Sequence, residues 1–389
     1  MSDVVVVVLV LAAMAMARWL LADLRTPPRG TAASPSSSRV SVVVPARDEA
    51  LTLPDLLASL TALDAPVREV VVVDDGSRDA TAEVARSAGA RVVAAGQPPA
   101  GWTGKAWACH VGADVTDGDL LLFLDADTVL APDALAGLLE LHAGSGGLVS
   151  VQPYHRVVRP HEQLSAWFNV VAVMASAAFT GRRARASRSR VPMAFGPCLL
   201  TSRADLATAG GHAAVRSAIL DDAALAEAYH RAGLPVVCAA GGASVRMRSY
   251  PEGLGQLAAG WTKNIASGAS TAWLPAALGT GLFVSVHHAV AVGATLTLLD
   301  ATTGIGGTLV GGHVGVWVAA YVALAWQLRT VLRRLGSFRW WTWALTPVSL
   351  LAFDLLFARS AVLSGVRRSV RWRGRDVDLR EHDSAREVA

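Results

Sequence analysis

Two aspartates close the apolar run LLFLDADTVL, with Asp125 and Asp127 one residue apart. An unpaired buried carboxylate is among the costliest groups a protein can hold, so these charges imply a partner. Hard divalent cations such as Mg2+ or Mn2+ take carboxylate oxygens and keep several waters, and along an extended segment residues i and i+2 face one side. A turn-forming strand end is the plainer reading of the same letters. Further carboxylate pairs follow the same habit. Asp74 and Asp75 precede Gly76 and Ser77, which alone is an ordinary turn with Asp79 placed to start a helix. Asp221 and Asp222 open an amphipathic stretch with apolar Ala223, Leu225, Ala226 and Tyr229, where the helix dipole by itself favours acids. Of 35 basic side chains only two are lysine, Lys105 and Lys263, so each marks a place where a compact ammonium is preferred to a planar guanidinium; a solvated loop lysine is the bland alternative.

The elements that must position these groups alternate. RVSVVVPARDEA and REVVVVDDGSRDAT each run from a β-branched apolar strand into polar residues, which is the pattern of buried parallel strands. Helical spacing at Leu51 to Leu63 and Asp79 to Ala88 separates them, and Arg91 to Ala95 supplies a third strand. This βαβαβ order predicts an open α/β sheet, whose ligands bind at the carboxyl ends of its strands. Those ends carry PARDE, DDGS and DAD in turn.

Composition divides the 389-residue chain: 52% hydrophobic residues is too apolar for an ordinary soluble protein, while 17% charged is too many for a pure membrane bundle. Apolar runs long enough to span a bilayer lie at Val4 to Leu21, Leu274 to Leu299, Thr303 to Trp326 and Trp341 to Leu363. The net charge of +4 does not point to nucleic acid, because the arginines cluster beside these runs, at Arg329, Arg333, Arg334 and Arg339 and from Arg367 to Arg380. Cys109, Cys198 and Cys238 lie far apart without C-x-x-C spacing, which supports neither a disulfide framework nor zinc.

The strings VVVPARDE, VVVDDGSRDAT, GWTGKAWACHVGA, LLFLDADT, FGPCLLTSRADLATAGG and ILDDAALAEAYHRAG stand in the order and spacing of family-2 inverting glycosyltransferases with the GT-A fold, a Rossmann-like nucleotide-diphospho-sugar transferase domain. The resemblance covers Val40 to Lys263, and GWTGKAWACHVGA resembles the membrane-bound subgroup of carotenoid-acid and hopanoid-associated enzymes. It implies that Asp127 contacts a Mg2+ or Mn2+ ion and that Asp125 contacts the ribose or the ion. It implies nucleotide contacts from Pro45, Ala46 and Glu49 in the first loop, from Asp75 and from Lys105. It assigns Asp222 as general base and leaves Asp221, Trp261 and Lys263 near the acceptor or the diphosphate. The chain departs from the family where Q-x-x-R-W is usual: in GQLAAGWTKNIASGA, Gln256 and Trp261 are one residue further apart and no arginine precedes the tryptophan, which argues against a processive polysaccharide synthase.

The expected organisation is an N-terminal anchor over residues 1–24 with its N-terminus outside, a Pro/Ser-rich linker over 25–38, the GT-A domain over 39–263, a membrane region of two or three spans over 264–365, and a basic then polar tail over 366–389. Leu164 to Gly181 is span-length, but a crossing there would separate Asp127 from Asp222, so it reads as a buried or interfacial helix, followed by a loop with Arg182, Arg183, Arg185, Arg188 and Arg190. A third C-terminal crossing would put the arginine-rich tail outside, so the last run reads as re-entrant or interfacial, helped by Pro347 and Asp354. His287, His288, Asp354 and Arg359 inside apolar runs are functional suspects or interhelical packing groups. The expected activity is sugar transfer from a nucleotide-sugar, first of all a UDP-sugar, to a lipid acceptor at the plasma membrane, with the catalytic domain cytoplasmic. The rivals are a polyprenyl-phosphate glycosyltransferase and a non-catalytic scaffold with a degenerate GT-A domain.

Overall fold

The computed structural model describes residues 2–28, 39–181, 193–218, 220–268, 273–303, 313–367, 369–372 and 375–378, with side chains from residue 263 to 272 and from 363 onward outside the description. The arginine-bearing loop at 182–192 and most of the linker are therefore outside it, as is the Lys263 side chain. The chain divides into two compact units: Met1–Asp23, Val157–Gly181 and Tyr250–Gly365 form one, and Leu24–Arg156, Arg182–Ser249 and Val366–Ala389 the other.

The second unit holds the sheet. Its strands are β1 (Val40–Ala46), β2 (Glu69–Asp74), β3 (Arg91–Ala94), β4 (Leu120–Leu124), β5 (Thr128–Leu130), β6 (Leu148–Gln152), β7 (Tyr154–His155), β8 (Cys198–Ser202), β9 (Val236–Ala240) and β10 (Val245–Met247), with β11 (Ser369–Trp372) and β12 (Arg375–Asp378) forming an antiparallel pair in the tail. Seven of them form one sheet in the order β3-β2-β1-β4-β8-β6-β9, while β5, β10 and β7 form a small second sheet. The β1, β2, β3 and β4 pairings are parallel, as the βαβαβ pattern predicts; β8 runs antiparallel to both β4 and β6. The helices at Leu53–Thr61 and Thr81–Ser87 are shorter than their apolar spacing predicts. At the start of the second, the Asp79 carboxylate accepts the Thr81 N–H, so the acid caps the helix rather than joining it.

Alternation along the strands sorts the core into two layers. Val42, Val44, Leu122 and Leu124 face a layer with Leu53, Leu56, Leu60, Leu135 and Leu138, whereas Val43, Leu121 and Phe123 face one with Ala108, Cys109, Leu225 and Tyr229. The second layer belongs to the helices Gly104–Val115 and Asp221–Arg231. Each buried aliphatic side chain in these layers contributes about 1.5–3 kcal/mol relative to exposure, so the layering fixes which side of β4 each following residue faces. At its other end the Gly104–Val115 helix is fastened by Arg203, whose guanidinium donates to the carbonyls of Ala113, Thr116 and Gly118 at 2.7, 2.7 and 3.1 Å. Carbonyls that a helix end leaves without intrahelical donors are satisfied there.

The first unit is helical. Asp3–Leu20, Leu274–Thr303 and Val314–Leu335 are each long and apolar enough to cross a membrane. The stretch read as one run from Trp341 is instead two helices, Trp340–Ala344 and Thr346–Arg367, with Pro347 in the first turn of the second, where its missing N–H costs nothing. Small residues set the close approaches: a Cβ at Gly293 would fall 2.2 Å from the Trp317 ring, and one at Gly279 within 2.6 Å of Met16. The helix Ala166–Ala175, inside the segment expected to be buried or interfacial, belongs to this apolar unit, with Trp167, Phe168, Val170, Val173 and Met174 buried. A boundary drawn at residue 39 and residue 263 misses this inserted piece, since a mostly apolar helix finds its burial among other apolar helices. Trp167 Nε1 donates to Ser349 Oγ at 3.0 Å. Trp261 lies in the same unit, 7% exposed, stacked on Phe168 at 4.8 Å, with Nε1 donating to Ser165 Oγ. His288 Nε2 meets Asp354 Oδ2 at 2.9 Å, and Arg359 donates to Thr262 Oγ1 at 3.0 Å, so these suspects pair with one another or with neighbouring helices.

Candidate active site

A small recess opens at the carboxyl end of β4 and is lined by Pro45, Lys105, Cys109, Phe123, Leu124, Asp125, Gly196, Leu199, His212, Asp221, Asp222 and Leu225. Four residues singled out for their chemistry therefore meet there: Lys105, Asp125, Asp221 and Asp222. Pro45 is the member of the first loop that lines it.

Lys105 sits in the first turn of the helix Gly104–Val115, whose N-cap Thr103 accepts the Ala106 N–H at 3.3 Å. Asp125 follows β4 in the same alternation as Leu121 and Phe123, which directs it to the layer of that helix. The two meet at 2.7 Å, Nζ to Oδ1. Burial opposes the ammonium's charge, but Asp125 and Asp221 outweigh it and hold the Lys105 pKa well above its ordinary value. The lysine is cationic throughout the physiological range.

The two aspartates of the D-x-D do not lie on an extended segment. Thr128 N–H donates to the Asp125 carbonyl at 3.0 Å, so Asp125 to Asp127 form a turn between β4 and β5. The Pro197 carbonyl pins it from the outside, accepting from Asp125 N–H at 3.0 Å and Thr128 Oγ1 at 3.2 Å. Polar residues ending a strand favour local backbone bonds over ladder bonds, which is why the strand stops there. Asp125 and Asp127 remain half-buried with Ala126 buried between them. Among the described residues no group of three or more His, Cys, Asp or Glu side chains is arranged to hold a metal ion. The pair offers only oxygen donors, which fits Mg2+ or Mn2+ completed by ligand oxygens and water.

Asp222 stands in the first turn of the helix Asp221–Arg231. Its Oδ2 accepts the Gly196 N–H at 2.8 Å and its Oδ1 accepts its neighbour Ala223 N–H at 2.9 Å. Burial and the adjacent Asp221 raise its pKa to about 6, against the pull of Lys105 and the two N–H donors. A carboxylate poised there accepts a proton near neutrality. Gly196 completes the recess in a way its sequence does not disclose: a Cβ there would stand 3.2 Å from both Asp222 Oδ2 and Lys105 Nζ. Nothing local to the string FGPC says that its glycine is the gap between that carboxylate and the lysine.

The remaining predicted residues lie at the carboxyl end of β1, whose last residue is Ala46, and on the loops after β1 and β2. Asp75 is 7% exposed and faces Arg47, Nη1 to Oδ2, at 3.5 Å. Asp74 is turned inward to its own loop, Oδ1 accepting Ser77 N–H at 2.9 Å. Glu49 Oε2 accepts from Thr52 Oγ1 at 2.7 Å, and Ala46 accepts the Asp75 N–H through its carbonyl at 2.9 Å. Asp48, at φ +53°, bridges the loops by accepting Arg78 N–H at 2.7 Å; the left-handed region is one that aspartate enters more readily than most residues. Ala46 at the end of β1 and Glu49 and Asp75 on the adjoining loops are thus gathered beside Pro45. Trp261 belongs to the other unit.

The Glycosyl transferase family 2 model matches residues 41–209. A 4,4'-diaponeurosporenoate glycosyltransferase of Staphylococcus aureus is 32% identical over 87% of this chain and 88% of its own length. The enzyme of the same name from Staphylococcus haemolyticus is 38% identical over 61% of this chain and 63% of its own length. Among solved structures, a mannosyltransferase from Pyrobaculum calidifontis, in complex with GDP-Man and Mn2+, superposes with a TM-score of 0.50 at 18% identity, covering 94% of this chain and 99% of the other, which bears on the fold. With the sheet order, the recess and these likenesses together, the chain belongs to the family-2 glycosyltransferases and resembles the carotenoid-acid members among them.

Proposed function

We propose that the protein transfers a sugar, with inversion, from a nucleotide-sugar to a lipid acceptor of terpenoid-acid type at the membrane. The observation that carries the reading is the carboxylate of Asp222, with a pKa of about 6, in one recess with the Lys105–Asp125 pair. Inverting transfer needs a base on the acceptor oxygen and stabilisation of the departing diphosphate on the opposite side.

Asp127, with Asp125 beside it, would hold a Mg2+ or Mn2+ ion, whose charge supplies stabilisation of the leaving diphosphate. Lys105 adds a cation at the N-terminus of a twelve-residue helix, where anions are already favoured. The loops with Pro45, Ala46, Glu49 and Asp75 hold the nucleoside. Asp222 takes the proton from an acceptor hydroxyl as the sugar is captured. A carboxylate acceptor, such as the names of the relatives describe, is ionised already and leans on Asp222 less. Asp221, Trp261 and Lys263 serve the acceptor or the diphosphate in this reading. The three span-length helices support a lipid acceptor, since a water-soluble one would not require them.

In the proposed orientation the N-terminus is outside and the catalytic unit cytoplasmic. Arg18, in the last turn of the first span, and Arg25 after it then lie on the inner side, and Arg329, Arg333 and Arg334 return there at the end of Val314–Leu335. The last apolar run, from Trp341 to Leu363, stays re-entrant or interfacial, which keeps the basic tail inside.

The test supplies membranes carrying the full chain with radiolabelled UDP-sugars, a carotenoid acid and, separately, a polyprenyl phosphate. Labelled phosphate-free lipid that disappears on chelation and returns with Mn2+ is expected. Label in a lipid phosphate would move the reading to polyprenyl-phosphate transfer, and an unlabelled lipid with every donor would refute it.

A further inference from the structure

His212 is a buried polar side chain in the recess that none of the roles above employs. It is 3% exposed, and neither ring nitrogen has a hydrogen-bond partner among the described residues. Leaving a buried polar group unsatisfied costs about 1–3 kcal/mol, so an imidazole with two such atoms is expensive unless something present during turnover completes it. Its placement is enforced: Gly210 and Gly211, at φ +86° and +61°, turn the chain after Arg203–Thr208 and drive the following residue inward. Its ring packs edge-on against Phe123 at 4.8 Å, two residues before Asp125. Burial lowers its pKa to about 4, so the ring is neutral and presents one N–H donor and one bare acceptor nitrogen.

We infer that His212 hydrogen-bonds the hydroxyl groups of the donor sugar and is a determinant of which sugar is accepted. This rests on the glycosyl-transfer reading and deepens it. Lys105, Asp125 and Asp222, assigned above to the diphosphate and the acceptor, line the same recess as His212, so the donor sugar they act on is received beside this ring. Its lining joins apolar Phe123, Leu199 and Leu225 to a few polar groups, a match for a ring with apolar C–H faces and a polar rim. A neutral donor-and-acceptor pair suits vicinal hydroxyls, whereas a charged group would compete for the diphosphate or the base. A site built to hydrogen-bond a hydroxyl also rejects analogues that place it elsewhere, because its own polar atoms are then left unpaired.

The test is equilibrium binding to the detergent-solubilised full chain in Mn2+, comparing UDP-glucose and UDP-galactose with UDP, and GDP-mannose with GDP. For the donor that the wild type binds, His212→Phe should weaken the nucleotide-sugar about tenfold while the bare nucleoside diphosphate changes less than about twofold, which also reports intact folding. His212→Gln, which keeps one donor and one acceptor, should recover most of the loss, and the Phe variant should discriminate less between glucose and galactose donors. Equal weakening of sugar-bearing and bare nucleotides would make His212 structural and overturn the inference. No change in either would overturn it too, leaving a water on the ring. A wild-type chain that binds none of the five would overturn the glycosyl-transfer reading and this inference with it.

Discussion

Lys105 Nζ lies 2.7 Å from Asp125 Oδ1, joining the first turn of the Gly104–Val115 helix to the end of β4. The contact sets a cation where a diphosphate would be received and ties it to the D-x-D turn. Lys105→Met should lower kcat/KM for the nucleotide-sugar about a hundredfold, the scale of removing one preorganised electrostatic group. Lys105→Arg should restore little of it, because a planar guanidinium does not replace a compact ammonium wedged between Asp125 and Gly196. Steady-state kinetics on membranes check both; recovery by arginine would show that charge alone suffices.

The pH profile of transfer to a hydroxyl acceptor should fall on the acid side, with a midpoint near or below 6. In the proposed mechanism Asp222 works as the carboxylate; burial and Asp221 raise its pKa to about 6, and protonation below that value would remove the base. A bound divalent cation pulls the midpoint down, not up. Asp222→Asn should cost about 10²–10⁴-fold with a hydroxyl acceptor and abolish this limb, while a carboxylate acceptor loses far less. An unchanged limb in the Asn variant would assign it to another group.

Gly196→Ala should fold normally and react slowly. The added methyl stands 3.2 Å from the Asp222 carboxylate and the Lys105 ammonium, so one or both must shift by a few tenths of an ångström. Catalytic groups displaced on this scale lose about tenfold or more in rate. The expected signature is a reduced kcat with an unchanged melting temperature, read by transfer assay and thermal unfolding of the same preparation.

Removing either member of the His288–Asp354 pair should destabilise the helical unit. His288→Leu or Asp354→Leu leaves one polar group facing apolar helices after loss of a 2.9 Å contact, at about 1 kcal/mol each. The double leucine variant should be more stable than the two losses summed, since it leaves no stranded partner. Thermal unfolding in detergent measures the coupling; simple additivity would show that the two residues do not support each other.

The sheet was legible because alternating periodicities give the βαβαβ order. Asp125 and Asp222 drew attention as acids beside apolar stretches, but the assignment of Asp222 as base came only through the family resemblance. Lys105 stood out as one of two lysines. The D-x-D conformation was not legible: parity along an extended strand and a turn held by the Pro197 carbonyl differ only through a partner some seventy residues later. Gly196 and His212 were invisible for the same reason. A glycine in FGPC matters through the Cβ it lacks beside Asp222 and Lys105, and a histidine after two glycines matters through an enclosure built by β4 and two helices. Apolarity marked residues 164–181 as helical and buried but could not say that Ala166–Ala175 buries among the span-length helices.

The most direct measurement of the central claim is the anomeric configuration of the lipid product. Full-length enzyme in membranes, given an α-linked UDP-sugar labelled at C1 and a terpenoid-acid lipid, should yield one labelled glycolipid whose NMR coupling shows a β linkage, as expected for a single displacement at C1. An α-linked product, or no sugar-bearing lipid from any nucleotide-sugar, would contradict it.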